Sequence, residues 1–343
     1  MRWRHAVSAV ALAALLMAAA PAWPQASSRT LPSAEAVVQA VLDAPALIDY
    51  EGTKVMSAVR GDRAQTVTVL ESYKRPGKLR LEFLSPESVG ARLIVDDGAT
   101  MWQYEPTLHI VIQGPSFVGG RSTDALRAVV SRYRPRVLGT EEVIGRETVV
   151  LALQPRGTGG ERRLWVDRAT GVVLRTEERD RAGDLAFSAF FTRISYSLNL
   201  PSALFRFQPP AGARVFSFYL AGDPVTDVSK VRALAGFAVI APQTLVTNYT
   251  FLYGATAKYG AFSAATVTYG DGVSVLSVFQ TPSRRMAFPQ AGTVVSLGGG
   301  RTGRLLDLGY FRILMWEAGG LRLAAVGLLA PAQLIAIAEE LNR

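Results

Sequence analysis

Arg162-Arg163-Leu164-Trp165-Val166-Asp167-Arg168-Ala169-Thr170-Gly171-Val172-Val173-Leu174-Arg175-Thr176-Glu177 reads as two β-strands joined by a tight turn. Leu164 and Val166 fall on one face of the first strand. Val172, Leu174 and Thr176 share a face of the second, and Val173, Arg175, Glu177 and Arg179 share the other. Asp167 and Thr170 can bond the turn backbone, and Gly171 can supply a positive φ. A third strand is expected over Gly183–Tyr196, with Leu185, Phe187, Ala189 and Phe191 on one face and Ala186, Ser188, Phe190 and Ile194 on the other. Apolar groups on both faces imply a sheet covered on each side, or one that lines a cavity.

Further strands are expected upstream over Asp49–Arg60, Ala64–Tyr73, Lys78–Leu84, Ala91–Asp96, Thr100–Tyr104 and Leu108–Gln113. Turn signals separate them, including Arg75-Pro76-Gly77 and Asp96-Asp97-Gly98, so the pattern is an antiparallel meander. Helices are expected over Ser33–Val41 and Ser122–Tyr133, with strands resuming at Arg136. Pro201–Phe207 reads as a short closing element. Pro209-Pro210-Ala211-Gly212-Ala213 then marks a domain boundary.

Beyond it, Asp227–Ala235 and Pro331–Leu341 read as helices. Phe237–Ile240, Tyr249–Lys258, Ala264–Tyr269, Val273–Phe279, Thr293–Leu297, Tyr310–Trp316 and Leu321–Gly327 read as strands. A chain of 343 residues predicts about two domains. They are placed at 31–210 and 222–343.

Met1–His5 is short and basic, Ala6–Ala20 is apolar, and Ala20-Pro21-Ala22 and Pro24-Gln25-Ala26 offer small-residue cleavage sites. Residues 1–26 therefore read as a Sec-type signal peptide, too short in its apolar run for a span of roughly 20 residues. A periplasmic or secreted location is expected. The chain has no cysteine, which excludes disulfides and the acylated cysteine of a lipoprotein. The formal net charge is +9, almost all the excess being arginine scattered along strands rather than gathered on one helix. That distribution argues against nucleic acid as a partner. It admits peripheral contact with an anionic membrane, or an acidic protein partner.

The residues that could carry chemistry are few. His109 is the one histidine beyond His5, expected on a strand, and no Gly-x-Ser-x-Gly elbow accompanies it. Asp96-Asp97-Gly98 reads as a turn and fits no calcium loop. Gly298-Gly299-Gly300-Arg301-Thr302-Gly303 lacks the lysine and following helix of a phosphate cradle and reads as a hairpin tip. Glu177 and Glu178 are explained by cross-strand charge pairing. No enzyme activity, cofactor or metal is expected. Apolar and aromatic surface remains: Trp102 and Tyr104 share a face of one strand and Phe187 and Phe191 a face of another, with Val95, Ile110, Ile112 and Trp165 as candidates to join them. Either the two helices fill that face, or it stays open as a cleft suited to an acyl chain.

Several stretches carry a family resemblance: Ile48-Asp49-Tyr50-Glu51-Gly52-Thr53, Pro76-Gly77-Lys78-Leu79-Arg80-Leu81-Glu82-Phe83, Ile94-Val95-Asp96-Asp97-Gly98 through Trp102-Gln103-Tyr104-Glu105-Pro106, the Leu164–Glu177 hairpin, and Phe205-Arg206-Phe207-Gln208-Pro209-Pro210-Ala211-Gly212-Ala213. In this order and spacing, over roughly Ala34–Val215, the chain resembles the periplasmic regulators of envelope-stress sigma factors (MucB/RseB type) and the related LolA-type lipoprotein carriers. The resemblance implies a mainly β, α+β protein. Its first domain would be a LolA-like curved antiparallel half-barrel with covering helices, and its second a smaller C-terminal α+β domain. Val294 through Leu314-Met315-Trp316-Glu317, Leu321–Gly327 and Leu334–Glu339 resemble the small domain that accompanies such modules.

The implied function is non-enzymatic binding of an acylated lipid or lipoprotein, coupled to a membrane-anchored anti-sigma factor. The alternatives are a periplasmic lipoprotein or lipid carrier and an envelope protein–protein interaction module. Trp102, Tyr104, Phe187 and Phe191 are the candidate cleft residues.

Overall fold

The computed structural model describes residues 30–60, 63–86, 92–116, 118, 131, 133–156, 160–180, 182–196, 198–217, 219–220, 224–245, 249–259, 262–270, 275–282, 292–307, 312–327 and 329–342. The expected signal peptide lies outside them. So does the expected helix over Ser122–Tyr133, except that Ser131 is a turn and Tyr133 opens a strand.

The described chain forms two sheets. The first has twelve strands: β1 (Tyr50–Arg60), β2 (Arg63–Lys74), β3 (Lys78–Ser85), β4 (Leu93–Asp96), β5 (Thr100–Glu105), β6 (Ile110–Pro115), β7 (Tyr133–Val143), β8 (Arg146–Pro155), β9 (Glu161–Asp167), β10 (Val173–Arg179), β11 (Leu185–Tyr196) and β12 (Arg214–Ser217). Their order is β12-β6-β5-β4-β3-β2-β1-β11-β10-β9-β8-β7. β12, between the two expected domains, runs parallel to β6. The other pairings in this sheet are antiparallel, as hairpins joined by short turns require. The outer strand β7 carries Pro135, two consecutive glutamates and a register shift at Val137/Gly139, features that blunt an edge against pairing with another chain.

The second sheet has eight strands: β13 (Tyr219–Leu220), β14 (Thr250–Tyr259), β15 (Phe262–Gly270), β16 (Val275–Pro282), β17 (Thr293–Ser296), β18 (Thr302–Asp307), β19 (Arg312–Ala318) and β20 (Leu321–Gly327). Two helices pack on it. α2 (Val228–Ala235) begins where the Asp227 carboxylate accepts from Ser229 N–H and ends at the left-handed Gly236. α3 (Pro331–Leu341) has proline in its first turn and the Gln333 amide oxygen accepting from Ala330 N–H. Val231, Tyr269, Leu276, Leu314, Trp316, Leu323, Leu334 and Ile337 lie in one continuous core. Gly254 is required there, because a Cβ would sit 2.5 Å from a Val231 methyl.

Phe237–Ile240 is not the expected strand. The Gln280 side chain instead both donates to and accepts from the Ile240 backbone, satisfying it as a neighbouring strand would. β18 was not expected as a strand. It pairs with β17 across the Gly298–Gly300 tip, which is the hairpin tip expected there. Arg312, 7% exposed, bonds to Asp307, to the Leu329 carbonyl and, across to the first sheet, to the Gln65 side chain at 3.1 Å.

α1 (Ala34–Leu47) starts at Ser33, whose hydroxyl accepts from Ala36 N–H, and runs six residues beyond the expected end. It lies on one face of the first sheet. Val37 joins Val149, Leu151, Leu153 and Val166; Ala44 joins Val172, Leu174 and Phe191. The helix comes so close to the β9–β10 turn that a Cβ on Gly171 would sit 2.4 Å from the Ala40 carbonyl oxygen, and Gly171 also holds φ +73°. The turn itself forms as expected: Asp167 accepts from Ala169 N–H and Thr170 from Val172 N–H.

Two bulges alter the expected facing of side chains. Leu174 is the extra residue between Val173, paired with Val166, and Arg175, paired with Trp165. Thr192 is extra between Phe191 and Arg193, so Ile194 packs in the same cluster as Phe191 rather than on the opposite face.

Asp167 is buried and bonded by Arg146, Ala169 N–H and the Tyr196 hydroxyl. Burial works upward on its carboxyl, but Arg146, the amide and the phenol outweigh it, and the pKa lies below the usual carboxylate range. Burial, chiefly, pushes the Tyr196 phenol up to about 12. A depressed carboxyl pKa gives stability that is complete above the unfolded value of about 3.9 and is lost as pH falls through the folded value. Asp167→Asn is therefore expected to lower the urea midpoint at about pH 7 and to differ much less from the parent at about pH 3. A deficit of the same size at both pH values would show that the carboxylate charge is not what matters.

Candidate functional site

Residues in register across an antiparallel pair point to the same face, so strand register fixes which side chains share a surface. Phe187 pairs with Ala58 and Phe191 with Lys54. Lys54 pairs with Val69 and Met56 with Val67. Val69 then pairs with Phe83 and Glu71 with Leu81, and Leu81 pairs with Ile94. These residues lie on the face that carries α1.

Val67, Val69 and Phe83 are buried there, with half-buried Met56, Leu81 and Ile94 against them. With half-buried Phe187 at its β11 end, this is an apolar strip across five strands, about 19 Å wide at normal strand spacing. α1 packs on the β7–β8 side and, through Ala44, on Leu174 and Phe191, and none of its residues belongs to this cluster.

Charged pairs bound the strip. On one side the Lys54 ammonium bonds Glu71 and lies 4.3 Å from the centre of the Phe191 ring. Tyr50 donates to the other Glu71 oxygen at 2.7 Å. Burial first, and the Glu71 charge second, push the Tyr50 phenol well above its ordinary range, so it remains a donor. On the other side Arg92 and Glu105, each 3% exposed, pair at 2.8 Å, with Arg92 over the Phe83 ring and Gln103 donating to Glu105. These groups are internally paired. The surface between them is apolar, and among the described residues no general base stands beside a nucleophile on it.

The four candidate cleft residues do not share this face. Phe187 and Phe191 do, although Phe191 is 1% exposed and serves the core under α1. Trp102 and Tyr104 pair with Val95 and Leu93, out of phase with Ile94, and so lie on the opposite face. There Phe207 covers them, its ring centre 5.9 Å from Trp102 and 6.2 Å from Tyr104. The chain that brings Phe207 is held by Lys74 to the Leu200 carbonyl and by Arg80 to the Leu204 carbonyl, with Phe205 buried beneath it. Of the other candidates, Ile110 and Ile112 lie on the strip's face, while Val95 and Trp165 lie on the other.

His109 is not on a strand. It is a left-handed turn residue (φ 51°) after a 3-10 turn, with Nε2 3.1 Å from the Ala211 carbonyl oxygen. Asp96-Asp97-Gly98 forms the expected turn, with Asp97 accepting from Ala99 and Thr100 N–H. Among the described residues no group of three or more metal-ligating side chains is present, and no helix is long and apolar enough to cross a membrane. A separate depression of about 370 Å3 is lined by Gly145, Arg146, Glu147, Asp167, Arg168 and Ala169. Its guanidiniums are engaged, Arg146 by Asp167 and Arg168 by Glu147.

Sequence reasoning passed over Met56, Val67, Leu81, Phe83 and Ile94. For Val67 in β2 and for Leu81 and Phe83 in β3, alternation within the strand was the available signal; Met56 in β1 and Ile94 in β4 join them only through register.

The comparisons with known proteins agree with this architecture. An outer-membrane lipoprotein carrier protein of Nitrosospira multiformis is 28% identical over 158 residues, 45% of this chain and 73% of the relative. An uncharacterized protein of Methanocaldococcus jannaschii is 21% identical over 85% of this chain and 88% of its own length. The crystal structure of MucB shares the fold at TM-score 0.50 and 20% identity, over 90% of this chain and 96% of that one. The family model of the MucB/RseB N-terminal domain matches residues 33–206, half of the chain, and the protein belongs to the MucB/RseB family.

Proposed function

We propose that this protein is an exported, periplasmic, non-enzymatic sensor that binds an acyl chain or lipoprotein and regulates a membrane-anchored anti-sigma factor in envelope-stress signalling. The observation that carries this reading is the half-buried strip of Met56, Leu81, Ile94 and Phe187 over Val67, Val69 and Phe83. Apolar area of that extent gains about 25 cal/mol per Å² when a ligand removes it from water. The reading takes residues 31–210 as the ligand-binding domain and 222–343 as a second domain that meets the protein partner. Ligand would act by binding the partner-free and partner-held states with different affinity, since a ligand that binds both equally shifts nothing.

A lipoprotein or lipid carrier is the second reading, favoured by the 28% identity to an outer-membrane lipoprotein carrier protein. Mass spectrometry of lipid extracted from protein purified without detergent tests the site common to both. Stoichiometric acyl lipid or lipopeptide is the expected result. Lipid-free protein that also refuses a fatty-acid probe would leave only protein–protein interaction. Cargo transferred onward to an acceptor membrane, with no stable protein partner, would favour the carrier.

A further inference from the structure

The opposite face of the first sheet, from β7 to β11, has a different character. Arg134 and Arg136 of β7, Arg163 of β9, Arg175 and Arg179 of β10 and Arg193 of β11 lie on it, with the carboxylates Glu141, Glu161 and Glu177. The arginines are outermost. Their side chains are 59% exposed at Arg136, 40% at Arg175, 37% at Arg163 and 35% at Arg179, against 20% at Glu161 and 8% at Glu177. Each carboxylate is engaged: Glu177 by Arg175 and Arg179, Glu161 by Arg163 and Arg136, and Glu141 by the Trp165 indole N–H at 2.7 Å. The guanidinium of Arg175 spreads over buried Trp165 at 4.4 Å. Phe190, 37% exposed, stands beside Arg175 on the neighbouring strand, with Arg193 further along it. The result is a broad sheet surface with positive charge outward, the compensating charge sunk beneath it, and an aromatic ring in its midst.

We infer that this face docks on an anionic phospholipid bilayer. Six arginines against three carboxylates make it electropositive, and the fork of N–H donors on each guanidinium matches a phosphate. The charges are dispersed over five neighbouring strands, about 19 Å at normal strand spacing, and converge on no groove. A bilayer presents phosphates over just such an area and accepts an exposed aromatic ring at headgroup level. An acidic protein segment would be held better by charges converging on a cleft. Docking here would leave α1 and the apolar strip, on the other face, turned away from the lipid. The inference therefore does not depend on the acyl-binding reading.

Co-sedimentation of the full chain with phosphatidylethanolamine–phosphatidylglycerol vesicles tests it, with phosphatidylcholine vesicles as the neutral arm. Binding is expected to the anionic vesicles alone, and to vanish near 1 M salt, where the screening length falls to about 3 Å. Arg136→Gln with Arg193→Gln alters two mostly exposed side chains and is expected to weaken binding about 25-fold, roughly fivefold for each arginine. Lysine at the same two positions, which keeps the charge and loses the fork, is expected to bind better than glutamine and less well than the parent, and fatty-acid uptake is expected to be unchanged in both variants. Equal binding to neutral vesicles, or a glutamine variant that binds like the parent, would overturn the inference. So would capture by immobilised polyglutamate without any vesicle binding, which would assign the face to an acidic protein.

Discussion

Glu105→Leu is expected to destabilise the protein by about 3–5 kcal/mol, read as a lower denaturant midpoint. Arg92 and Glu105 are both 3% exposed and paired at 2.8 Å, so removing the carboxylate takes a counter-charge from a buried guanidinium. The second Glu105 oxygen accepts from Gln103, and that donor loses its partner too. The desolvation of the two ions is already incurred in the parent, so the pair itself is not a large net source of stability. Replacing both partners by apolar residues of similar size is therefore expected to recover most of the loss, and Arg92→Met with Glu105→Leu should stand near the parent. If the single variant costs under about 1 kcal/mol, the guanidinium finds water when this carboxylate goes. The strip beside Phe83 would then be wetter than its burial implies. If the double variant is as unstable as the single one, packing rather than charge pairing is what the two residues supply.

Local signals gave much of this structure away, and non-local ones did not. Ser33, Asp227 and Pro331 each sit where a helix begins, and capping acts within a turn of the chain, so helix starts could be read directly. The Asp167–Thr170 turn is equally local, and it fixed the central hairpin. β12 and β13 were missed because short strands without a hairpin partner hold their shape through remote neighbours, and β18 because its first residues, Thr302 and Gly303, read as part of the glycine-rich tip.

The candidate site failed for the same reason. Whether Trp102 and Phe187 share a face depends on the registers of five successive strand pairings, and a shift of one residue in any of them reverses the answer. The Thr68/Val69 and Thr53/Lys54 bulges lie on that path, and neither leaves a mark in the local pattern. Two aromatic pairs with correct alternation within their own strands were thus assigned to one cleft when the sheet lies between them.

That separation gives a functional test with a large expected effect. Phe187→Asp is expected to weaken binding of a fluorescent fatty acid by about 100-fold or more, while Trp102→Ala is expected to leave it unchanged. Phe187 is half-buried on the α1 face, paired with Ala58 beside Met56, where an aliphatic chain would displace water from it. A carboxylate there must either keep its water, and so exclude the chain, or be buried without a partner at a cost of several kcal/mol, and 2.7 kcal/mol already corresponds to 100-fold. Trp102 has its ring against Phe207 on the far side of the sheet, so removing it opens space that a ligand on the α1 face never meets. Its loss is expected to appear as reduced stability alone, in the range of about 1–3 kcal/mol for a partly buried aromatic side chain. The opposite pattern, with uptake lost in Trp102→Ala and kept in Phe187→Asp, would place the ligand beneath Phe207. The 200–213 segment would then be its cover, and the strip on the α1 face an ordinary part of the core.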